Sequence, residues 1–176
     1  MIKMKLSTKG RYGLRALIDL AQHCGDEAVS ISSIAARQKI SEGYLEQLVA
    51  KLKKAGLVTS TRGALGGYRL ARPAREISVG DILRALEGDL RAVECPGEEG
   101  GCQEADLCVT KYVWQRINDS IARTVDEIRL DQLVEESREA LRRREALSDY
   151  SGEKACMAEK KGNKRRKQED GSADIS

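Results

Sequence analysis

Apolar residues recur at helical spacing in successive stretches of the chain, and each stretch opens on a residue able to cap a helix. Between Ser7 and His23, Leu14, Leu17, Ile18, Leu20 and Ala21 share one face, with Ser7 or Thr8 as N-cap. After the polar turn Gly25-Asp26-Glu27, Val29-Ser30-Ile31 predicts a short strand, and Ser32 or Ser33 caps a brief second helix bearing Ile34, Ala35 and Ala36. That helix stops near Lys39-Ile40. Ser41 then caps a third, whose apolar face is Leu45, Leu48, Val49, Leu52 and Ala55 and whose stop is Gly56. The pattern next shortens: Leu57–Thr61 and Tyr68-Arg69-Leu70 read as two strands about the turn Arg62-Gly63-Ala64-Leu65-Gly66-Gly67. Past Pro73, Ser78 and Asp81 make a capping-box start to a helix carrying Val79, Ile82, Leu83 and Leu86. Tyr112, Val113, Trp114, Ile117, Ile121, Val125 and Ile128 mark a long amphipathic helix, and Leu130, Leu133, Val134, Ala140 and Leu141 another.

This order predicts a mainly α fold with a small β wing. Two short helices joined by a tight turn, the second capped and amphipathic, form a helix-turn-helix pattern, which any small helical hairpin would share. A β-hairpin directly after it, with arginine at a glycine-rich tip, makes the pattern a winged helix-turn-helix, with a helix for the major groove and a wing arginine for the minor groove. The expected organisation is a DNA-binding domain over 1–75, a connecting helix over 76–91, a cysteine loop over 92–109, a dimerisation helix and its successor over 110–147, and a disordered polar tail over 148–176 containing the basic run Lys164–Lys167. The long helix finds no apolar partner in its own second half. Val113, Trp114, Ile117, Ile121, Val125 and Ile128 are therefore expected to pack against a second copy, as two-fold dimers do on palindromic operators, the alternative being packing within the subunit.

Charge supports the first half of that reading. Residues 1–91 hold 16 Lys/Arg against 9 Asp/Glu, and residues 92–160 hold 10 against 16. A basic first half suits a polyanion, although solvated surface charge would look the same. Lys5, Lys9 and Arg11 crowd the start of the first helix, where cations oppose the dipole and call for another reason such as phosphate. On the third helix Ser41, Gly43, Tyr44, Gln47 and Lys53 are the expected DNA contacts, joined by Arg62 and Gly63 on the wing. Glu46 stands out on that face, since phosphate repels a carboxylate that is useful at a base edge chiefly as an acceptor from cytosine.

The cysteines add chemistry. Cys95, Cys102 and Cys108 lie on a glycine-rich, acidic stretch with the spacing C-x6-C-x5-C, a candidate metal loop. No apolar run approaches the roughly 20 residues of a membrane span, and Met-Ile-Lys-Met-Lys is no signal peptide, so a cytoplasmic protein is expected. In that reducing setting five cysteines point to metal or redox chemistry rather than disulfides. The lone histidine, His23, restricts zinc and catalytic schemes, Cys24 reads as a small buried residue, and Cys156 in the tail as incidental.

Leu-Ser-Thr-Lys-Gly-Arg-Tyr-Gly at 6–13, Ile-Ser-Glu-Gly-Tyr-Leu-Glu-Gln-Leu at 40–48, Gly-Leu-Val-Thr-Ser-Thr-Arg-Gly at 56–63 and Gly-Gly-Tyr-Arg-Leu at 66–70 together resemble the IscR/NsrR/CymR family of winged-helix regulators. The triple-cysteine loop resembles its cluster-binding IscR branch, and the likeness covers about residues 4–135. The resemblance implies a homodimeric repressor or activator that binds a [2Fe-2S] cluster through Cys95, Cys102 and Cys108. It also implies control of iron-sulfur biogenesis genes and supply of the cluster by the iron-sulfur assembly machinery. The histidine that such proteins often place three residues after the last loop cysteine is Lys111 here, and a protonated lysine has no lone pair for iron. The acidic residue that nitric-oxide-sensing relatives use near the start of the first helix corresponds to Arg11. Carboxylates remain as the fourth ligand: Glu98, Glu99, Glu104 or Asp106 in the loop, or Glu42 or Glu46 on the third helix. Glu46 is preferred, because ligation to iron would withdraw an unfavourable charge from DNA.

Zinc is a rival for the loop, but its structural sites favour C-x2-4-C pairs. An unmetallated thiol switch is another. A nitric-oxide-sensing regulator of the same fold, or a different class altogether, an iron-sulfur electron carrier or thiol oxidoreductase, are the alternative functions. The chain lacks both C-x-x-C and a nucleotide-binding loop, and no enzyme is expected.

Overall fold

The computed structural model describes residues 7–25, 27–63, 66–92 and 108–147. In chain order these form α1 (Thr8–His23), α2 (Ile31–Gln38), α3 (Glu42–Lys54), β1 (Val58–Thr61), β2 (Gly67–Leu70), a 3-10 turn (Ala74–Glu76), α4 (Val79–Glu87) and α5 (Val109–Glu127), followed by a helix over 130–147. The mainly α architecture with a two-stranded wing agrees with the sequence reading.

Three caps fall at expected places. Ser7 accepts from the Lys9 N–H, Ser41 from Tyr44, and Ser78 with Asp81 forms a complete capping box. The second helix differs. Ser30, not Ser32 or Ser33, is its cap, accepting from the Ser33 N–H, so Ile31 already belongs to α2. The expected strand there reduces to one bridge, in which Val29 and Tyr68 exchange backbone hydrogen bonds of 2.9 and 2.8 Å. A serine cap uses an orphan helix donor that a third strand residue would leave open, and this decides the boundary. The turn into α3 passes through Lys39, in the left-handed region at φ 55°.

β1 and β2 pair antiparallel, with Val58 opposite Leu70 and Ser60 opposite Tyr68. Gly63, at φ 116°, takes a backbone conformation at the wing turn that a side chain would resist. Leu17 and Leu20 from α1, Ile34 from α2, Leu45, Leu48 and Leu52 from α3, Leu57 and Val58 at the wing, and Ile77, Ile82 and Leu86 about α4 form one core, completed by Leu130 and Val134. α3 thus buries one stripe, each large apolar side chain contributing roughly 1.5–3 kcal/mol, and this holds the helix while its other face stays free.

Helices α1 and α4 cross closely. A Cβ on Gly13 would run into the Leu86 side chain, and one on Gly10 would sit 2.8 Å from Glu87 Oε1. Glu87 Oε1 accepts from the backbone N–H of Ser7 (3.0 Å) and of Gly10 (2.8 Å), and both its oxygens accept from the Ser7 hydroxyl. The glycines and serine of the Leu6–Gly13 motif are therefore explained by helix packing. Burial would raise the Glu87 carboxyl, but the Ser7 side-chain hydrogen bond, the Gly10 and Ser7 N–H groups and the Lys9 charge outweigh it and hold it below its ordinary 4.5. A lowered folded value means that the stabilisation is fully present above 4.5 and is lost as pH falls through the folded value. The stability advantage of wild type over Glu87→Gln, measured by urea unfolding, is expected to be constant at neutral pH and to close in acid.

α5 divides into two halves. Toward its end Arg84 pairs with Asp126, the Val79 N–H donates to Ile128 O (2.9 Å), and Ile121, Val125 and Ile128 are half-buried. At its start Tyr112, Val113, Trp114 and Ile117 are exposed, Tyr112 to 67%. Two compact units divide the chain, Met1–Val134 and Glu135–Ser176. In the second, residues 135–147 are helical and laced by Glu135–Arg142 and Glu139–Arg143 pairs of 2.8 and 3.1 Å. Among the described residues no helix is long and apolar enough to cross a membrane.

Candidate nucleic-acid interface

The outward face of α3 follows from its inward one. With Leu45, Leu48, Val49 and Leu52 buried, Ser41, Glu42, Gly43, Glu46, Gln47, Ala50 and Lys53 fall on the exposed side. The positive end of the helix dipole lies at Ser41 and Glu42, and lysines 51, 53 and 54 close the last turn. Lys53 Nζ reaches Ser60 Oγ at 2.5 Å, tying the helix to β1 and fixing the wing beside it. Arg62 and Gly63 are exposed at the hinge of the wing, and Lys9 and Arg11 on the first turn of α1. Arg11 and Arg62 hold no ion pair among the described residues. Lys5 lies outside the described residues.

Tyr44 is turned inward. Its ring stands edge-on to Tyr12, with centroids 6.1 Å apart, and its hydroxyl is buried with no hydrogen-bond partner among the described residues. It props the first turn of α3 against α1 rather than displaying its hydroxyl on the exposed face. Arg15 lies 5.6 Å from the Tyr12 ring centroid, a cation-π contact.

The two helices before α3 are locked by a network centred on Asp19, which is 3% exposed. Both its oxygens accept from Arg37 Nε at 3.0 Å, one accepts from Arg37 Nη2 at 2.6 Å, and the other from Gln38 Nε2 at 2.7 Å. Arg15 Nε donates in turn to Gln38 Oε1 (3.0 Å), and His23 Nδ1 lies 2.8 Å from Asp19 O. The Asp19 hydrogen bond raises the Arg37 guanidinium above its ordinary value, against the opposing pull of burial. His23 is thus engaged in structure. Cys24 packs against the core at the end of α1.

Of the cysteine set, only Cys108 falls among the described residues; Cys95, Cys102 and the four loop carboxylates lie outside them. Cys108 is the N-cap of α5, half-buried, without a side-chain cap bond, and its Sγ is 3.1 Å from Thr110 Oγ1. The positive end of the α5 dipole lies beside this thiol. Lys111 follows one turn later, its N–H donating to Cys108 O at 3.2 Å. Among the described residues no group of three His, Cys, Asp or Glu converges as a metal site.

Three features were not anticipated: the Asp19 network, the Glu87 clamp, and Lys51, whose Nζ donates to Leu86 O at 3.1 Å. The first carried a signal, since Asp19 sits among the apolar positions of α1. The other two join residues distant in sequence and carried none.

Residues 6–136 match the Rrf2 family, described as "Iron-dependent Transcriptional regulator". The chain belongs to the Rrf2 family. It is 44% identical over 131 residues to the HTH-type transcriptional regulator IscR of Pectobacterium carotovorum, covering 74% of this chain and 79% of that protein. It is 43% identical to Protein rrf2 of Nitratidesulfovibrio vulgaris, covering 76% and 89%. Among solved structures, T. potens IscR is 49% identical with a TM-score of 0.62, covering 78% of this chain and 91% of that one. CymR, the global cysteine regulator of B. subtilis, is 42% identical with a TM-score of 0.63, covering 75% and 97%. The winged head is accordingly that of an IscR-like, DNA-binding transcriptional regulator.

Proposed function

We propose that this Rrf2-family regulator acts as a homodimer that reads a palindromic operator and senses iron-sulfur status through a [2Fe-2S] cluster on Cys95, Cys102 and Cys108. The observation that carries DNA reading is the free outer face of α3, with Gly43, Glu46 and Gln47 exposed beside a wing held to it through Lys53 and Ser60. The bare first half of α5, with Val113, Trp114 and Ile117 exposed, supports the dimer: apolar side chains in a row on a helix need a cover, and a second copy supplies one symmetrically. The cluster reading rests on the donor set, three thiols in the spacing C-x6-C-x5-C, with Cys108 at a helix start where the dipole favours negative charge. Bound there, a cluster would supply a redox- and supply-sensitive group held partly by weaker oxygen ligation. Glu46 is the proposed fourth ligand. It is exposed and has no ion pair among the described residues, so ligation would remove a charge that opposes phosphate on the reading face. The proposed targets are iron-sulfur biogenesis genes.

Selection from a random duplex library tests the reading. The expected result is a palindromic sequence whose affinity falls steeply with salt, with a slope of about 0.9 per neutralised phosphate. Binding to no duplex, in either the metal-free or the cluster-loaded form, would favour an iron-sulfur carrier or thiol oxidoreductase instead.

A further inference from the structure

Lys51 lies on the reading helix, and its position there suggests a phosphate contact. Its Nζ instead donates to Leu86 O, one of the last carbonyls of α4, where a cation also meets the negative end of that helix. The same turn of α4 holds α1: the Leu86 side chain fills the space before Gly13, and Glu87 accepts from Ser7 and Gly10. Two residues, Leu86 and Glu87, therefore fix both the recognition helix and the start of the basic first helix.

The chain then leaves α4 toward the cysteines. Gly88 turns it at φ 89°, Asp89 accepts from the Arg91 N–H (3.1 Å), and the Ala92 N–H donates to Asn118 Oδ1 on α5 (2.9 Å). Cys95 comes three residues later, and Cys108 caps α5. Ala92 and Cys108, the described residues on either side of the cysteine stretch, both join α5, and Ala92 closely follows the residues that grip α1 and α3. On the other side α4 is held to α5 by Arg84 and Ser78 on Asp126. Residues 88–92 therefore join the cysteine stretch to a turn of α4 that is itself held to α1 and α3, on a helix held to α5.

We propose that this last turn of α4 is the joint through which the ligand state of the cysteines reaches the reading helix, with Lys51 and Glu87 as its positioning residues. The inference rests on the cluster reading above and specifies how that site is coupled to DNA. Lys51 touches no DNA in this scheme. It transmits the position of α4 to α3, so that a ligand which favours one arrangement of residues 88–92 changes operator affinity.

The test uses the full-length protein, metal-free and after anaerobic reconstitution with ferrous iron and sulfide, titrated by fluorescence anisotropy against the duplex it selects. Wild type is expected to show a loaded-to-free affinity ratio within the usual coupling range of roughly 5- to 150-fold, in either direction. Lys51→Met should bring that ratio close to one while leaving the salt slope unchanged, and Lys51→Arg, which can still donate to Leu86 O, should restore it. Glu87→Gln should also reduce the ratio, giving a second reading if Lys51→Met fails to melt cooperatively. A slope that drops by about one in Lys51→Met would make Lys51 a phosphate contact and overturn the proposal. An unchanged ratio in both variants would overturn it as well. Failure of the cluster reading shows separately, as wild-type protein that takes up no iron and sulfide.

Discussion

Asp19→Ala is expected to destabilise the protein by about 2–4 kcal/mol and to lower its melting temperature by roughly 6–15 °C at fixed protein concentration. Asp19 is almost wholly buried and satisfies Arg37 through three hydrogen bonds and Gln38 through one. Alanine would leave a guanidinium and an amide without their acceptor, and breaking a buried pair usually costs about 3–5 kcal/mol. The estimate is set lower because the Arg37 side chain is 34% exposed and can turn to water. Asp19→Asn, which keeps one acceptor and loses the charge, should fall between. The network spans α1 and α2, so the loss also loosens the platform behind α3, and operator affinity should drop further than the unfolded fraction alone explains. A change below about 0.5 kcal/mol would show that the network is only surface ornament.

Cys108→Ala is expected to abolish iron and sulfide binding. Cys108 is half-buried and its Sγ lies 3.1 Å from Thr110 Oγ1, so the substitution should cost about 1 kcal/mol of stability, and the urea midpoint separates loss of the cluster from unfolding. Cys24→Ala provides the contrast. Cys24 packs against the core at the end of α1 and should leave iron content unchanged. Equal iron in wild type and Cys108→Ala would remove the cysteine stretch from the account.

Much of this was legible in the sequence because local signals and tertiary structure agreed. Ser41 before a leucine stripe gave α3 and its free face, and the strand-turn-strand pattern about Gly63 gave the wing. The boundary of α2 was misplaced because Ser30, Ser32 and Ser33 are all competent caps, and only the geometry of the first turn selects Ser30. The periodicity of the long helix predicts one apolar face, along which Ile121, Val125 and Ile128 are half-buried while Val113, Trp114 and Ile117 stand exposed. Periodicity identifies an apolar face without saying what covers it. Lys51 and Glu87 were invisible for a different reason: their partners, Leu86 O and the N–H groups of Ser7 and Gly10, are backbone atoms 35 to 80 residues away. No residue pattern encodes a backbone acceptor at that distance.

The proposed iron-sulfur cluster on the three cysteines is tested most directly by the composition of the unaltered protein. Purified without oxygen, wild type is expected to contain iron and acid-labile sulfide in equal amounts, with the visible absorption of a thiolate-ligated cluster. Zinc without sulfide would contradict it.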